Sequence, residues 1–157
     1  MSFFDRKKDK TDVEVFINCL MKNGKREKAY KLFVEALVFL SSILKKKKCV
    51  ESPFEILNKA IFKLKPNLKL CPYFFNKKRY YSPGLISDFT SRGVAIRWLI
   101  KYSRYQREPS ASRRLGREIF EVSCSKNFVG GYSMGKKRNF LKVLEIARSN
   151  LYKKMRT

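Results

Sequence analysis

Along most of the chain apolar side chains return every three or four residues, the spacing of a helix that buries one face. Val15, Phe16, Cys19 and Leu20 open the series, with Asn23-Gly24 as a stop signal behind them. From about Glu27 to Leu44 a broad apolar face runs through Leu32, Phe33, Ala36, Leu37, Leu40, Ile43 and Leu44. Lys45 to Lys48 then place cations at the negative end of that helix's dipole. Ser52-Pro53-Phe54-Glu55 predicts a third start: serine as cap, proline at the first helical position, Glu55 completing a capping box. Leu57, Ala60, Ile61 and Leu64 continue that helix and Pro66 closes it. A fourth helix is predicted from Ser91 to about Arg107, with Val94, Ala95, Trp98, Leu99 and Tyr102 on one side and Trp98 in the core. A fifth runs from near Ser112 to Cys124 through Leu115, Ile119, Phe120 and Val122. Ser125 to Gly135, with three glycines, reads as a loop. The last helix starts near Lys136 and shows Phe140, Val143, Leu144, Ala147 and Leu151 as one stripe.

Between Leu68 and Ile86 the period changes. The segment alternates loosely, is rich in aromatic residues, and carries Asn76-Lys77 in its middle, which predicts a β-hairpin turning near Asn76 to Lys78. Pro72 and Pro83 confine it to an exposed two-stranded ribbon. The predicted fold is mainly α: one domain of about six helices, with a protruding two-stranded hairpin at about 68–86 between the third and fourth. A short charged arm (1–14) precedes the helical domain (15–157).

Charge changes the picture. The 157 residues include 37 Lys and Arg against 13 Asp and Glu, a net +24. Such an excess repels itself and is relieved by a polyanion, nucleic acid first, because each neutralised phosphate releases counterions. The absence of histidine excludes a Ser-His-Asp triad, a Cys-His dyad and a His-ligated metal. Acidic residues are scattered without a pair suited to acid–base work, and Gly130, Gly131 and Gly135 lack the Lys-Ser/Thr of a phosphate loop. The expected assignment is therefore no enzyme, no cofactor and no metal. Cys19, Cys49, Cys71 and Cys124 form no CxxC pair and read as reduced thiols. No apolar run is long enough to span a bilayer. The acids Asp5, Asp9, Asp12 and Glu14 argue against an acid-poor transit peptide; the expectation is a chain made where it works, or one whose leader is already removed.

The cations are unevenly spread: residues 97–157 hold 16 basic and 4 acidic side chains. Arg97, Lys101, Arg104 and Arg107 recur every three to four residues with no acid between them, which predicts one basic face on the fourth helix. In the hairpin, Lys77, Lys78 and Arg79 lie between Tyr73-Phe74-Phe75 and Tyr80-Tyr81. Rings that stack on bases, interleaved with cations that hold phosphates, suit unpaired RNA. The plainer reading packs alternate rings on the helical body. Lys22, Lys25 and Arg26 surround Gly24, Arg113, Arg114 and Arg117 begin the fifth helix, and Lys136, Lys137 and Arg138 begin the sixth. Cations at a helix N-terminus oppose the dipole, a placement that an anionic ligand would relieve. Arg92 completes the expected RNA contacts.

The string from Ile17, INCLMKNGKREKAYKLFVEAL, resembles the opening of the small-subunit ribosomal protein seven family through Asn18, Met21, Lys22, Gly24 and Lys25. Pro53, Ala60 and Pro66 are similar to that family's third helix, and Tyr80, Pro83 and Ala95 to Ile100 to its hairpin and fourth helix. Arg104, Glu108, Arg114, Leu115 and Glu118 extend the likeness, which covers about Val15 to Glu121. Departures are Asn76-Lys77 in place of paired glycines at the hairpin tip, a short arm with four acids, and a C-terminal pattern reduced to Lys136-Lys137-Arg138 and Ala147. The resemblance implies a structural constituent that binds the 3′ major domain of small-subunit ribosomal RNA and helps nucleate the head. It also implies neighbouring head proteins as partners, a hairpin near exit-site tRNA and messenger, no membrane partner and no homo-oligomer. The Lys, Asn, Phe and Tyr bias resembles organellar members, mitochondrial before plastid, with the bacterial cytoplasm as an alternative. A basic helical protein that binds RNA or DNA outside the ribosome is the alternative function.

Overall fold

The computed structural model describes residues 5–47, 51–75, 77–125 and 130–155. The order is α1 (Asp5–Leu20), α2 (Arg26–Lys46), α3 (Pro53–Leu64), β1 (Leu68–Phe75), β2 (Lys78–Leu85), α4 (Asp88–Ser103), α5 (Ala111–Cys124) and α6 (Tyr132–Met155). The mainly helical fold with one hairpin between α3 and α4 is as the sequence predicts. Lys48, Cys49 and Asn76 lie outside the described residues.

α5 is the central element and packs against α2, α3, α4 and α6. Its Leu115, Ile119 and Val122 are sealed from solvent together with Leu40, Leu64, Ile96 and Leu99. Each such side chain contributes roughly 1.5–3 kcal/mol relative to leaving it in water. Phe16 of α1 and Phe33 of α2 meet at 5.0 Å between ring centroids and close the core under the N-terminal half. At Gly116 the backbones of α2 and α5 touch: an added Cβ would lie 2.8 Å from the Ala36 carbonyl and 3.0 Å from Phe39 Cδ1. Gly116→Ala is therefore expected to destabilise the protein by about 1–3 kcal/mol despite alanine's better helix propensity, read as a lowered urea midpoint.

The capping box of α3 is complete: Glu55 N–H donates to Ser52 Oγ at 3.2 Å and Ser52 N–H to Glu55 Oε2 at 3.0 Å. α1 begins at Asp5, so part of the segment read as a charged arm is helical, and no Gly or Pro interrupts it before Gly24. The α1–α2 turn uses left-handed backbone at Asn23 (φ 52°) and Gly24 (φ 71°), as the stop signal implies.

Further boundaries differ from the sequence reading: α4 starts at Asp88, three residues before the predicted Ser91, and two other shifts have a visible cause. α4 ends at Ser103, not Arg107, because Tyr105 and Gln106 N–H donate back three residues and tighten the chain into a turn. Arg104 thus caps the helix end and Arg107 lies beyond it. Only Arg97 and Lys101 share the predicted helical face. α6 starts at Tyr132, a turn before Lys136, because its N-terminus is capped from outside. Glu118, on the buried side of α5 with no solvent exposure, accepts from Ser133 N–H at 2.7 Å and from Gln106 Nε2 at 2.7 Å. Gly131 (φ 65°) passes so close that an added Cβ would sit 3.0 Å from Glu118 Oε1. This carboxylate ties the α4–α5 turn to the start of α6. Trp98 is half-buried, its ring 5.5 Å from Phe140 of α6 in an edge arrangement, so it lies at the margin of the core.

In the hairpin Leu68 pairs with Leu85 and Phe75 with Lys78. Lys77 holds the turn in left-handed backbone (φ 58°), a conformation that glycine adopts at less cost. Cys19, Cys71 and Cys124 are free thiols. Among the described residues no helix is long and apolar enough to cross a membrane.

Candidate nucleic-acid interface

The end of α1, the α1–α2 turn, the end of α4 and the start of α5 converge on a pit of ≈ 320 Å³. Its apolar floor includes Leu20, Ala29, Leu32, Ile100 and Leu115, all drawn from the stripes that build the core. Its rim is Lys22, Lys25, Lys28, Arg104 and Arg114. Among the described residues, none of these five cations forms an ion pair with a carboxylate. Cations brought this close repel one another, and the arrangement persists because hydrophobic burial positions the helices that carry them. An oxyanion entering the pit meets several charged donors at once, each capable of a charge-assisted hydrogen bond.

The pit gathers residues that the sequence placed in three separate clusters: Lys22 and Lys25, Arg104, and Arg114. Lys28 is not among the sequence-predicted contacts, although it stands in the first turn of α2 three residues after Lys25, the residue that caps that helix. Arg26 lies just outside, and Arg113 sets its guanidinium 5.9 Å from the Phe39 ring centroid. Arg97, Lys101 and Arg107 are exposed nearby along the chain but do not line the pit, and Arg97 Nε donates to Gly93 O at 3.1 Å.

At the opposite end of α5 the cations have other work. Lys63 Nζ donates to the carbonyls of Ser123 and Ser125 at the C-terminal end of α5, and Lys137 Nζ to that of Lys63 near the end of α3. These ammonium groups compensate the negative ends of helices. Burial, with Lys65 nearby, pushes Lys137 below its ordinary pKa. Lys65 pairs with Asp88 at 2.8 Å, and Arg92 Nε meets the same carboxylate at 3.0 Å. The hydrogen bond from Lys65 holds Asp88 below the usual carboxylate range, helped by the charges of Lys65 and Arg92. Arg92 and Lys137, expected at RNA, thus have contacts within the fold. Lys136 is half-buried and Arg138 exposed on the first turns of α6.

The hairpin divides its aromatic residues between two faces. Tyr73 and Tyr80 stack on one, with centroids 5.8 Å apart, and are half-buried. Phe74, 76 % exposed, is cross-strand from Arg79 on the other face, with Tyr81 beyond it. The Arg79 guanidinium lies 5.4 Å from the Tyr81 ring. Lys77 and Lys78 are exposed at the tip. The outward-facing stacking group is therefore Phe74, Arg79 and Tyr81, while Tyr80 belongs to the ribbon's own packing.

A family model described as ribosomal protein S7p/S5e matches residues 2–148. A small ribosomal subunit protein uS7 of Mesoplasma florum is 35 % identical over 129 residues, covering 82 % of this chain and 77 % of the relative. The uS7 protein of Leptospira biflexa is 32 % identical over 110 residues, 70 % of this chain and 67 % of the relative. That of Limosilactobacillus fermentum is 30 % identical over 137 residues, 87 % and 82 % of the two chains. The chain belongs to the S7p/S5e family of ribosomal proteins, structural and non-enzymatic constituents of the small subunit.

Proposed function

We propose that this protein binds the 3′ major domain of small-subunit ribosomal RNA, seats RNA phosphates in the α1–α2–α4–α5 pit, and helps nucleate the head of the subunit. The observation that carries the reading is the pit itself: five cations from the α1–α2 turn, α2, the end of α4 and α5, none paired with a carboxylate among the described residues, over an apolar floor. The exposed group Phe74, Arg79 and Tyr81 supports a second role for the hairpin, stacking on unpaired nucleotides of exit-site tRNA or messenger. Neighbouring head proteins are the protein partners, and the chain forms no homo-oligomer. The bias toward Lys, Asn, Phe and Tyr, with 13 Phe and 8 Tyr, supports an organellar and foremost mitochondrial ribosome, while the relatives compared are bacterial.

Sedimentation through a sucrose gradient tests the reading. With magnesium present the protein is expected to travel with the small subunit, and with magnesium withdrawn to follow the unfolding subunit particle. A protein that remains at the top of the gradient in both conditions overturns it. In binding assays the 3′ major domain fragment is expected to compete against an excess of duplex DNA; displacement by duplex DNA at equal concentration would favour a DNA-binding protein instead.

A further inference from the structure

The cationic surface does not end at the rim of the pit. A wider hollow of ≈ 890 Å³ adjoins it at the α1–α2 turn, lined by Gly24, Arg26, Tyr30 and Lys31 together with one acid, Glu27, and it shares Lys25 and Lys28 with the pit. Tyr30 is 55 % exposed in this hollow. Among the described residues Lys25, Arg26, Lys28 and Lys31 make no ion pair with a carboxylate. The space that a side chain would take at Gly24 is open, so a ligand backbone can approach the turn closely.

The geometry points to Tyr30 as a base-stacking residue for an unpaired RNA nucleotide whose neighbouring phosphates lie on Lys25 and Lys28. This rests on the reading of the pit as a ribosomal RNA phosphate site and adds a chemical class to it. A paired A-form segment offers backbone and groove but no free base face, whereas an unpaired nucleotide offers both a phosphate and a π-surface. Phe62 provides a contrast. Its ring is also exposed, but the ammonium groups around it, those of Lys63, Lys65 and Lys137, donate to carbonyls or to Asp88 within the fold. Around Tyr30 the cations point to a ligand from outside.

The test uses the full chain carrying Phe74→Ala and Tyr81→Ala, so that the hairpin cannot mask the effect, with oligouridylate as probe, alone and paired with oligoadenylate. Tyr30→Ala is expected to weaken binding of single-stranded oligouridylate by about five- to 150-fold, to spare the duplex, and to leave the log–log salt slope unchanged. Tyr30→Phe is expected to bind as the parent does, and photo-crosslinking of 5-iodouridine in the same probe to place the adduct on Tyr30. Unchanged single-strand affinity, or an equal loss for duplex, overturns the inference. Lys25→Ala with Lys28→Ala separates the two levels. If these flatten the slope while Tyr30→Ala does nothing, only the stacking role falls; if neither variant alters binding, the phosphate site falls as well. Tyr30 also begins an exposed stripe with Val34 and Val38 on α2. Loss of a neighbouring ribosomal protein from the subunit on Tyr30→Ala, with RNA binding intact, would assign the ring to a protein contact and refute the stacking role.

Discussion

Arg104→Glu combined with Arg114→Glu is expected to lower affinity for the 3′ major domain RNA by 100-fold or more, about 3 kcal/mol, and to reduce the magnitude of the log–log salt slope by roughly 1.4–1.8. The reasoning is local. Both guanidinium groups stand on the rim of one pit, so the phosphates seated there lose two charge-assisted contacts and gain two repulsions. The fold should tolerate the change. Arg104 follows the C-terminus of α4, where a glutamate is mildly unfavourable, while Arg114 lies in the first turns of α5, where a glutamate is favourable. These dipole effects, roughly 0.3–1 kcal/mol each, oppose one another. Helicity should therefore stay at the parent level while binding collapses. Lys45→Glu with Lys46→Glu alters net charge equally at the exposed end of α2. An identical loss for that pair would mean that total charge, not the pit, governs binding.

The second large effect concerns Glu118. Glu118→Ala is expected to destabilise the protein by about 2–5 kcal/mol, a major part of the roughly 5–15 kcal/mol that holds a domain of ordinary stability. The Ser133 N–H and the Gln106 amide lose their buried acceptor, and a cavity opens beside Val122. Glu118→Gln should cost less, about 1–2 kcal/mol. The glutamine carbonyl keeps the Ser133 bond, but its NH2 faces the NH2 of Gln106, which also donates to Glu121 at 2.8 Å. Urea denaturation followed through Trp98 reads both variants, because that ring rests on Phe140 of α6. Midpoints at the parent value in both would show that the carboxylate does not hold α6 to the core.

Much of the architecture was legible in one dimension because helices here are specified by local chemistry. The Ser52–Glu55 box, the Asn23-Gly24 stop and the apolar stripes of α2, α3 and α5 each act within a few residues, and each appears where predicted. Two of the errors fall where a distant group intervenes. Extension of α4 to Arg107 was reasonable on spacing alone, but Gln106 turns toward Glu118 and Glu121 of α5. The start of α6 depends on a carboxylate fifteen positions earlier in the chain. One signal for Glu118 was available: it sits between Leu115 and Val122 at helical spacing, a charged residue on a buried face.

Amino-acid order by itself determined the helical class, the hairpin's position, the excess of positive charge and the resemblance that names the family. Net charge and periodicity are sums over local positions, so they survive without coordinates. Which cations remain unpaired was decided only by packing. Lys63 and Lys137 look like Lys22 and Lys25 in sequence, yet the first two donate to helix-end carbonyls and the last two line an open pit. Composition alone cannot separate them, because a charge's partner is set by helices crossing in space, and that crossing is fixed by the buried contacts of α5.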